Sequence, residues 1–499
     1  EKFKTVTGYT EPKESEHDFF TIGHTSTSIS LACGLAKGRD AVGSNENIIA
    51  IIGDGSLSGG EAYEGLNNAA ASNKNIIILV NDNDISIAEN HGGLYKNLAQ
   101  LRESEGKLDN NFFKSLGFEY HFVKDGNNLE SLIETFEKVK DTTRPVVVHM
   151  HTIKGKGYED AENNKEAFHW VMPFDLETKE PLFKGEYVKS YGDITEDFLI
   201  EKAKKDKSIV AITAATPGIV GVNRFRSELQ DQYVDVGIAE EHAIALASGM
   251  AKRGAKPVAA FLSSFIQRTY DQLSQDLAIN NNPATIMVYW GGISGSDVTH
   301  LGLFDIPLIS NIPNMVYLAP TTKEEHLAMV DWAIEQDKHP VAIRVPNMEV
   351  VSTGVAVEAN FDELNKYVMV EEGKDVAIIG LGSFFHLGKK VQERLRNTGI
   401  NATLINPRFI TGVDEDLLNE LKENHKVVIT LEDGILDGGF GEKISRFYGN
   451  SQMRVLNFGA TKEFTDSVEL DVLYERYHLT EELIVEDIEK VLADIKVFA

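Results

Sequence analysis

The sequence predicts an α/β protein of three doubly wound domains built on parallel sheets. Three observations carry that expectation. A chain of 499 residues exceeds what one hydrophobic core organises and points to about three domains. Short apolar runs rich in β-branched residues alternate along it with stretches of helical composition. One such run, Asn47-Ile48-Ile49-Ala50-Ile51-Ile52, ends abruptly in Gly53-Asp54-Gly55, as a strand does when it stops at the edge of a sheet where ligands bind.

The first block runs to about residue 180. Asn47–Ile52 reads as a strand buried on both faces of a parallel sheet. Gly59–Lys74, filled with small and straight-chain residues, reads as a helix, and Ile76–Val80 as the next strand, which completes a βαβ unit. A helix around Asn128–Lys140 and a strand Pro145–His149 follow, then a polar linker, Leu176–Asp193. The second block has strands near Ile209–Thr213, Pro257–Phe261, Thr285–Tyr289, Met315–Leu318 and Val341–Arg344, with a helical run from Ala243 to Lys252. An irregular stretch, Asn347–Lys374, leads to a third block that opens with Val376–Gly382. That opening lacks the last glycine of a dinucleotide-binding fingerprint, because Phe385 stands in its place.

Composition narrows the function classes. The formal net charge of −28 argues against nucleic acid or anionic membrane as partners, since both need basic surface. No apolar run approaches the ~20 residues that span a bilayer, and no signal-peptide pattern opens the chain, so a cytoplasmic location is expected. The single cysteine, Cys33, has no partner for an internal disulfide or a zinc site and reads as a core residue. The first residues, Glu1-Lys2-Phe3, include no initiator methionine, as in a fragment, a processed chain or a trimmed one.

Right-handed crossovers bring parallel strands out at one sheet edge, which sets Asp54 beside the cluster Asn81-Asp82-Asn83-Asp84. A carboxylate and an amide oxygen are hard ligands for magnesium, which prefers to share phosphate oxygens, and a glycine turn before a helix presents N–H groups to an anion. The pattern therefore reads as a metal-diphosphate clamp. It resembles the signature of enzymes that bind thiamine diphosphate through magnesium, and on that resemblance the metal ligands are Asp54, Asn83 and the backbone carbonyl of Ile85.

Further motifs extend the resemblance over nearly the whole chain: GHTSTS at 23–28, GDGSLSGG at 53–60, NDNDIS at 81–86, KGKGY at 154–158, VGIAEEHA at 236–243, FIQRTYDQ at 265–272, DVTHLGLFD at 297–305 and DGGFG at 437–441. Together they resemble the 1-deoxy-D-xylulose-5-phosphate synthase family of the transketolase superfamily. The resemblance implies a diphosphate-binding domain over residues 1–185, N-terminally incomplete, a pyrimidine-binding domain over 193–350 and a transketolase C-terminal domain over 370–499. It implies that Gly23, His24, Thr25, Gly55, Ser56, Asn83, Tyr158 and Glu240 contact the cofactor and that Phe265 packs on its pyrimidine. Glu240 is then the acid that hydrogen-bonds the pyrimidine nitrogen and shifts the ring to its imino tautomer. His169 and His300 handle donor and intermediate, while Arg268, Asp297 and Arg344 line the substrate site, Arg344 holding the acceptor's phosphate. The implied reaction joins pyruvate, with loss of carbon dioxide, to glyceraldehyde 3-phosphate. A homodimer is expected on the same resemblance.

Some positions depart from the family. Its upstream histidine motif is absent, so a separate N-terminal chain is a partner to consider. Where a phosphate-binding arginine is expected the chain has Trp290, where a pocket tyrosine is expected it has Leu262, and Asn347 follows Val345-Pro346. The connection from Gly92 to Phe112 is short beside the family's long loop. These departures leave two alternatives to the synthase: a transketolase-type enzyme with another donor or acceptor, and a non-catalytic half-enzyme that needs a partner chain.

Overall fold

In the computed structural model, which describes residues 7–72, 74–182 and 188–498, three sheets follow one another along the chain. The first has four parallel strands, β1 (Ile48–Gly53), β2 (Ile76–Asp82), β3 (Glu119–Val123) and β4 (Val146–His151), in the order β1-β2-β4-β3. The second is also parallel. Its strands β5 (Ile209–Thr213), β6 (Tyr233–Asp235), β7 (Lys256–Leu262), β8 (Thr285–Tyr289), β9 (Val316–Leu318) and β10 (Val341–Arg344) lie in the order β6-β5-β7-β8-β10-β9. The third contains β11 (Val368–Glu371), β12 (Asp375–Gly380), β13 (Thr403–Asn406), β14 (His425–Ile435) and β15 (Arg454–Ala460), in the order β11-β13-β12-β14-β15 with only β11 antiparallel.

The apolar runs become buried central strands for the reason their composition suggests. Ile76 to Val80 is buried throughout, as is β8, because helices cover both faces of each sheet. The edge strand β1 is different: Ala50 and Ile52 face the helices α1 (Ser28–Val42) and α2 (Gly60–Ala71), whereas Ile49 and Ile51 face outward. The expectation of burial on both faces is corrected there. Cys33 lies on α1, half-buried against this core.

Three other readings shift. The short Gly92–Phe112 connection carries a helix, α3 (Gly93–Glu103), whose Leu98 and Leu101 are buried. The irregular stretch after Asn347 includes β11, a four-residue edge strand too short and mixed to stand out in the sequence. The helix expected from Ala243 begins at Glu240. The described linker residues up to Ser190 form no helix and only an isolated bridge between Phe174 and Pro181; residues 183–187, and residue 73 of the expected Gly59–Lys74 helix, lie outside the described residues, and a Ser190/Asp193 capping box starts the next helix. In the third sheet Gly380 serves packing, since a Cβ there would come within 2.6 Å of the Phe385 backbone.

Candidate active site

The carboxyl ends of β1 and β2 meet as their topology requires. The Asp54 N–H donates to the Asn81 carbonyl at 3.0 Å, and Asn90 Nδ2 donates to Asp54 Oδ2 at 2.7 Å. The Tyr95 hydroxyl spans the carbonyls of Asp54 and Gly55 at 3.1 and 3.2 Å. Asp54 is 2% exposed, and burial together with the nearby Asp82 pushes its carboxyl up to about 7. A bound cation would reverse that shift. Asn83 lies alongside with its Oδ1 buried and without a hydrogen-bond partner, and Ile85 pairs with Glu89 in a tight antiparallel bridge. Gly55 allows this approach, because a Cβ would lie 2.3 Å from Ser86 Cβ. The carboxylate, the orphaned amide oxygen and the glycine cradle fit a divalent cation bound with a diphosphate. Asp82 is committed elsewhere: it accepts from His149 and Arg102, each at 2.8 Å.

A second group assembles from both parallel domains. The His24 ring lies 5.2 Å from Phe265 and 5.7 Å from His300, and Phe265 and His300 are 5.5 Å apart. Tyr9 stacks on His300 at 5.2 Å. Gly23 permits the junction, since a Cβ there would sit 1.8 Å from Thr299 Oγ1. Burial, with Arg268 and His300 nearby, lowers His24 to about 4, so its imidazole is neutral near pH 7. Asp297 accepts from Thr299 and His300. Burial alone would raise its carboxyl, but these hydrogen bonds hold it at about 2. A cavity of about 580 Å³ opens beside Gly23, His24 and Thr299, with an otherwise mainly apolar lining that includes Phe20, Leu31, Leu301 and Phe304.

Glu240 links the two groups. It opens its helix, 3% exposed, with Oε2 lacking a hydrogen-bond partner; Arg268 Nη1 is 3.6 Å away, too far for one. Burial pushes this carboxyl up to about 7 against the opposing pull of Arg268. Arg268 also donates to the Thr25 carbonyl. The segment before Glu240 is hooked to the first domain by Ser58, whose Oγ accepts from the Ile238 N–H and donates to the Gly55 carbonyl, both at 2.8 Å. Ser26, at φ 79°, donates to the Ser56 carbonyl at 2.8 Å and so ties the GHTSTS turn to the glycine cradle.

Not every expected residue joins these groups. His169 stands near the clamp, its Nδ1 2.8 Å from Lys154 Nζ, and burial and that ammonium lower its pKa. Tyr158 packs on Phe168 and Phe174. Arg344 is spanned by two buried carboxylates: Nε donates to Asp305 at 2.7 Å and Nη1 to Asp433. It lies behind Gly291, where a Cβ would meet Nε at 2.7 Å. Leu262 is a core residue of the second domain, while Trp290 is 54% exposed on a turn with φ 57°. Sequence reasoning passed over Tyr9, Ser58, Asn90, Tyr95 and Thr299; Ser58 and Thr299 fall inside quoted motifs, and the other three carry no local signal of their role.

Comparison with protein families matches residues 1–110 and 105–152 to 1-deoxy-D-xylulose-5-phosphate synthase, 189–351 to the transketolase pyrimidine binding domain and 365–484 to the transketolase C-terminal domain. Curated relatives named 1-deoxy-D-xylulose-5-phosphate synthase include that of Clostridium tetani, 36% identical across 98% of this chain and 85% of the relative. That of Natranaerobius thermophilus is 37% identical across 89% and 76%. Among solved structures, an inactive beta4 tetramer of a split gene transketolase aligns with TM-score 0.53 and 23% identity over 62% of this chain and 99% of its own. Transketolase from Campylobacter jejuni aligns with TM-score 0.52 and 15% identity over 94% and 82%. At those identities the structural likeness is one of fold.

Proposed function

The chain belongs to the 1-deoxy-D-xylulose-5-phosphate synthase family, and from that premise we propose how its own residues divide the work. It is a thiamine-diphosphate-dependent transferase that condenses pyruvate with glyceraldehyde 3-phosphate, releasing carbon dioxide and forming 1-deoxy-D-xylulose 5-phosphate, an isoprenoid precursor. The cofactor, when bound, supplies a nucleophilic carbon and an electron sink.

The observation that carries the assignment of roles is the buried, unpartnered Oε2 of Glu240. Its carboxyl retains a proton near neutrality and presents it to the pyrimidine nitrogen, the contact for which the vacant hydrogen-bonding position is suited. Asp54, Asn83 and the Ile85 carbonyl hold the divalent cation, which we take to be magnesium, and Gly55 and Ser56 approach the diphosphate. Gly23, Thr25, Tyr158 and Phe265 complete the cofactor wall. His24 and His300 face the reacting centre, where neutral His24 accepts or returns a proton, while Asp297 orients His300 and Arg268 closes the substrate side. His169 assists from the diphosphate side. Arg344, already balanced by two carboxylates, braces the wall beneath Gly291.

For the molecule as a whole we propose domain limits of 1–185, 193–350 and 370–499, a cytoplasmic location and a homodimer. No described helix is long and apolar enough to cross a membrane. The outward-facing Ile49 and Ile51 of β1 support a further partner, a separate chain that covers this face of the first sheet; one structural neighbour is, by title, a split gene transketolase. The deciding assay follows carbon dioxide released from labelled pyruvate, with thiamine diphosphate and magnesium, in the presence and absence of glyceraldehyde 3-phosphate. Release that rises with the aldehyde and is lost in Glu240→Ala supports these roles. Undiminished release by Glu240→Ala refutes the role given to Glu240.

A further inference from the structure

Two ammonium groups stand at the metal end of the site with no carboxylate at salt-bridge distance among the described residues, Asp54 and Glu166 acting on Lys154 only from farther away. Lys154 Nζ donates to the Ser86 carbonyl and lies 2.8 Å from His169 Nδ1; Lys165 Nζ donates to the Asn83 carbonyl at 3.3 Å. Both lysines are partly buried. The nearest acidic neighbour in sequence, Glu166, is occupied by Arg226 at 3.1 Å. In a chain with 77 acidic and 49 basic residues, unpaired cations side by side are an electrostatic oddity. Both reach the same short turn, 83–86, that carries the orphaned Asn83 Oδ1. That turn is where an anion bound through a cation would sit.

We propose that Lys165 is a cofactor-holding residue, acting with Lys154 as the protein's countercharge to the diphosphate. The proposal rests on the thiamine diphosphate reading and adds a residue outside the motifs that carry it. Charge balance supports it: a diphosphate ester near neutrality carries about three negative charges. A divalent cation offsets two of these, and the Asp54 carboxylate that holds the cation restores one. The remainder matches the two ammonium groups present. Each lysine donates to a backbone carbonyl, a weaker partner than an anionic oxygen.

The test is titration calorimetry of thiamine diphosphate into the full chain with magnesium, comparing wild type, Lys165→Met and Lys165→Arg, with thermal unfolding as a check of folding. Magnesium diphosphate serves as a second ligand, read by its upward shift of the unfolding temperature. Lys165→Met is expected to weaken thiamine diphosphate about tenfold and to reduce the diphosphate shift, while Lys165→Arg restores both. Wild-type affinity in Lys165→Met, or an equal loss in Lys165→Arg, overturns the role of Lys165 and leaves the cofactor reading intact. A wild-type chain that binds neither ligand overturns both.

Discussion

At the first turn of its helix Glu240 would ordinarily be held ionised by the helix dipole, yet burial outweighs the dipole and Arg268 together and raises it to about 7. Its protonated form is the functional one, so kcat/KM is expected to fall as pH rises through about 7, and Glu240→Gln to lower turnover by about a hundred- to ten-thousand-fold. Stability follows the same sign. Below the ordinary value of 4.5 the carboxyl is protonated whether the chain is folded or not; above it only the folded form keeps the proton, and the cost grows until about 7. That cost is about 3 kcal/mol at most. Glu240→Gln should therefore unfold at a higher temperature than wild type at pH 8 and lose that advantage at pH 4, measured without cofactor. Arg344 makes the opposite case. Replacing it by methionine strands Asp305 and Asp433 in the interior and should destabilise the chain by about 3–5 kcal/mol, read from the denaturant midpoint. A Michaelis constant for the aldehyde that rises in Arg344→Met with no loss of stability would instead restore the phosphate role to that arginine.

Among the elements, the turns after strands matter more than the strands. The turn after β1 is close-packed on one side and open on the other: a Cβ at Gly55 would collide with Ser86, whereas one at Gly60 meets nothing within 4 Å. Gly55→Ala is expected to push 83–86 away from Asp54 and weaken magnesium-dependent thiamine diphosphate binding at least tenfold, with Gly60→Ala near wild type in the same titration. Most strands were legible because apolar β-branched runs buried on both faces leave a strong pattern. The run before Gly53 was legible as a strand but not as an edge, since edge position depends on which neighbours pair with it. The helix expected from Ala243 starts three residues earlier, at Glu240, because acidic residues at a helix mouth leave its first residue undefined in the sequence.

Over the whole molecule, the first two domains of one chain together build the site: His24 meets Phe265 and His300, and Ser58 meets Ile238. A second copy is not needed to bring those residues together. The outward apolar face of β1 is where assembly should show. If further polypeptide covers it, Ile51→Glu will reduce the assembly's mass by light scattering without altering the unfolding temperature of the separated chain; an unchanged mass would remove β1 from the interface. By itself the sequence determined the α/β class, the strand-turn-helix clamp and the family, because glycine turns, β-branched runs and ordered motifs are local properties. Only the tertiary structure decided that Asn90 and Tyr95 support Asp54, that Lys165 reaches Asn83, and that Arg344 is claimed by Asp433. Those partners lie tens of residues apart along the chain, and what brings them together is the packing of sheets and crossovers, which no single stretch of sequence contains.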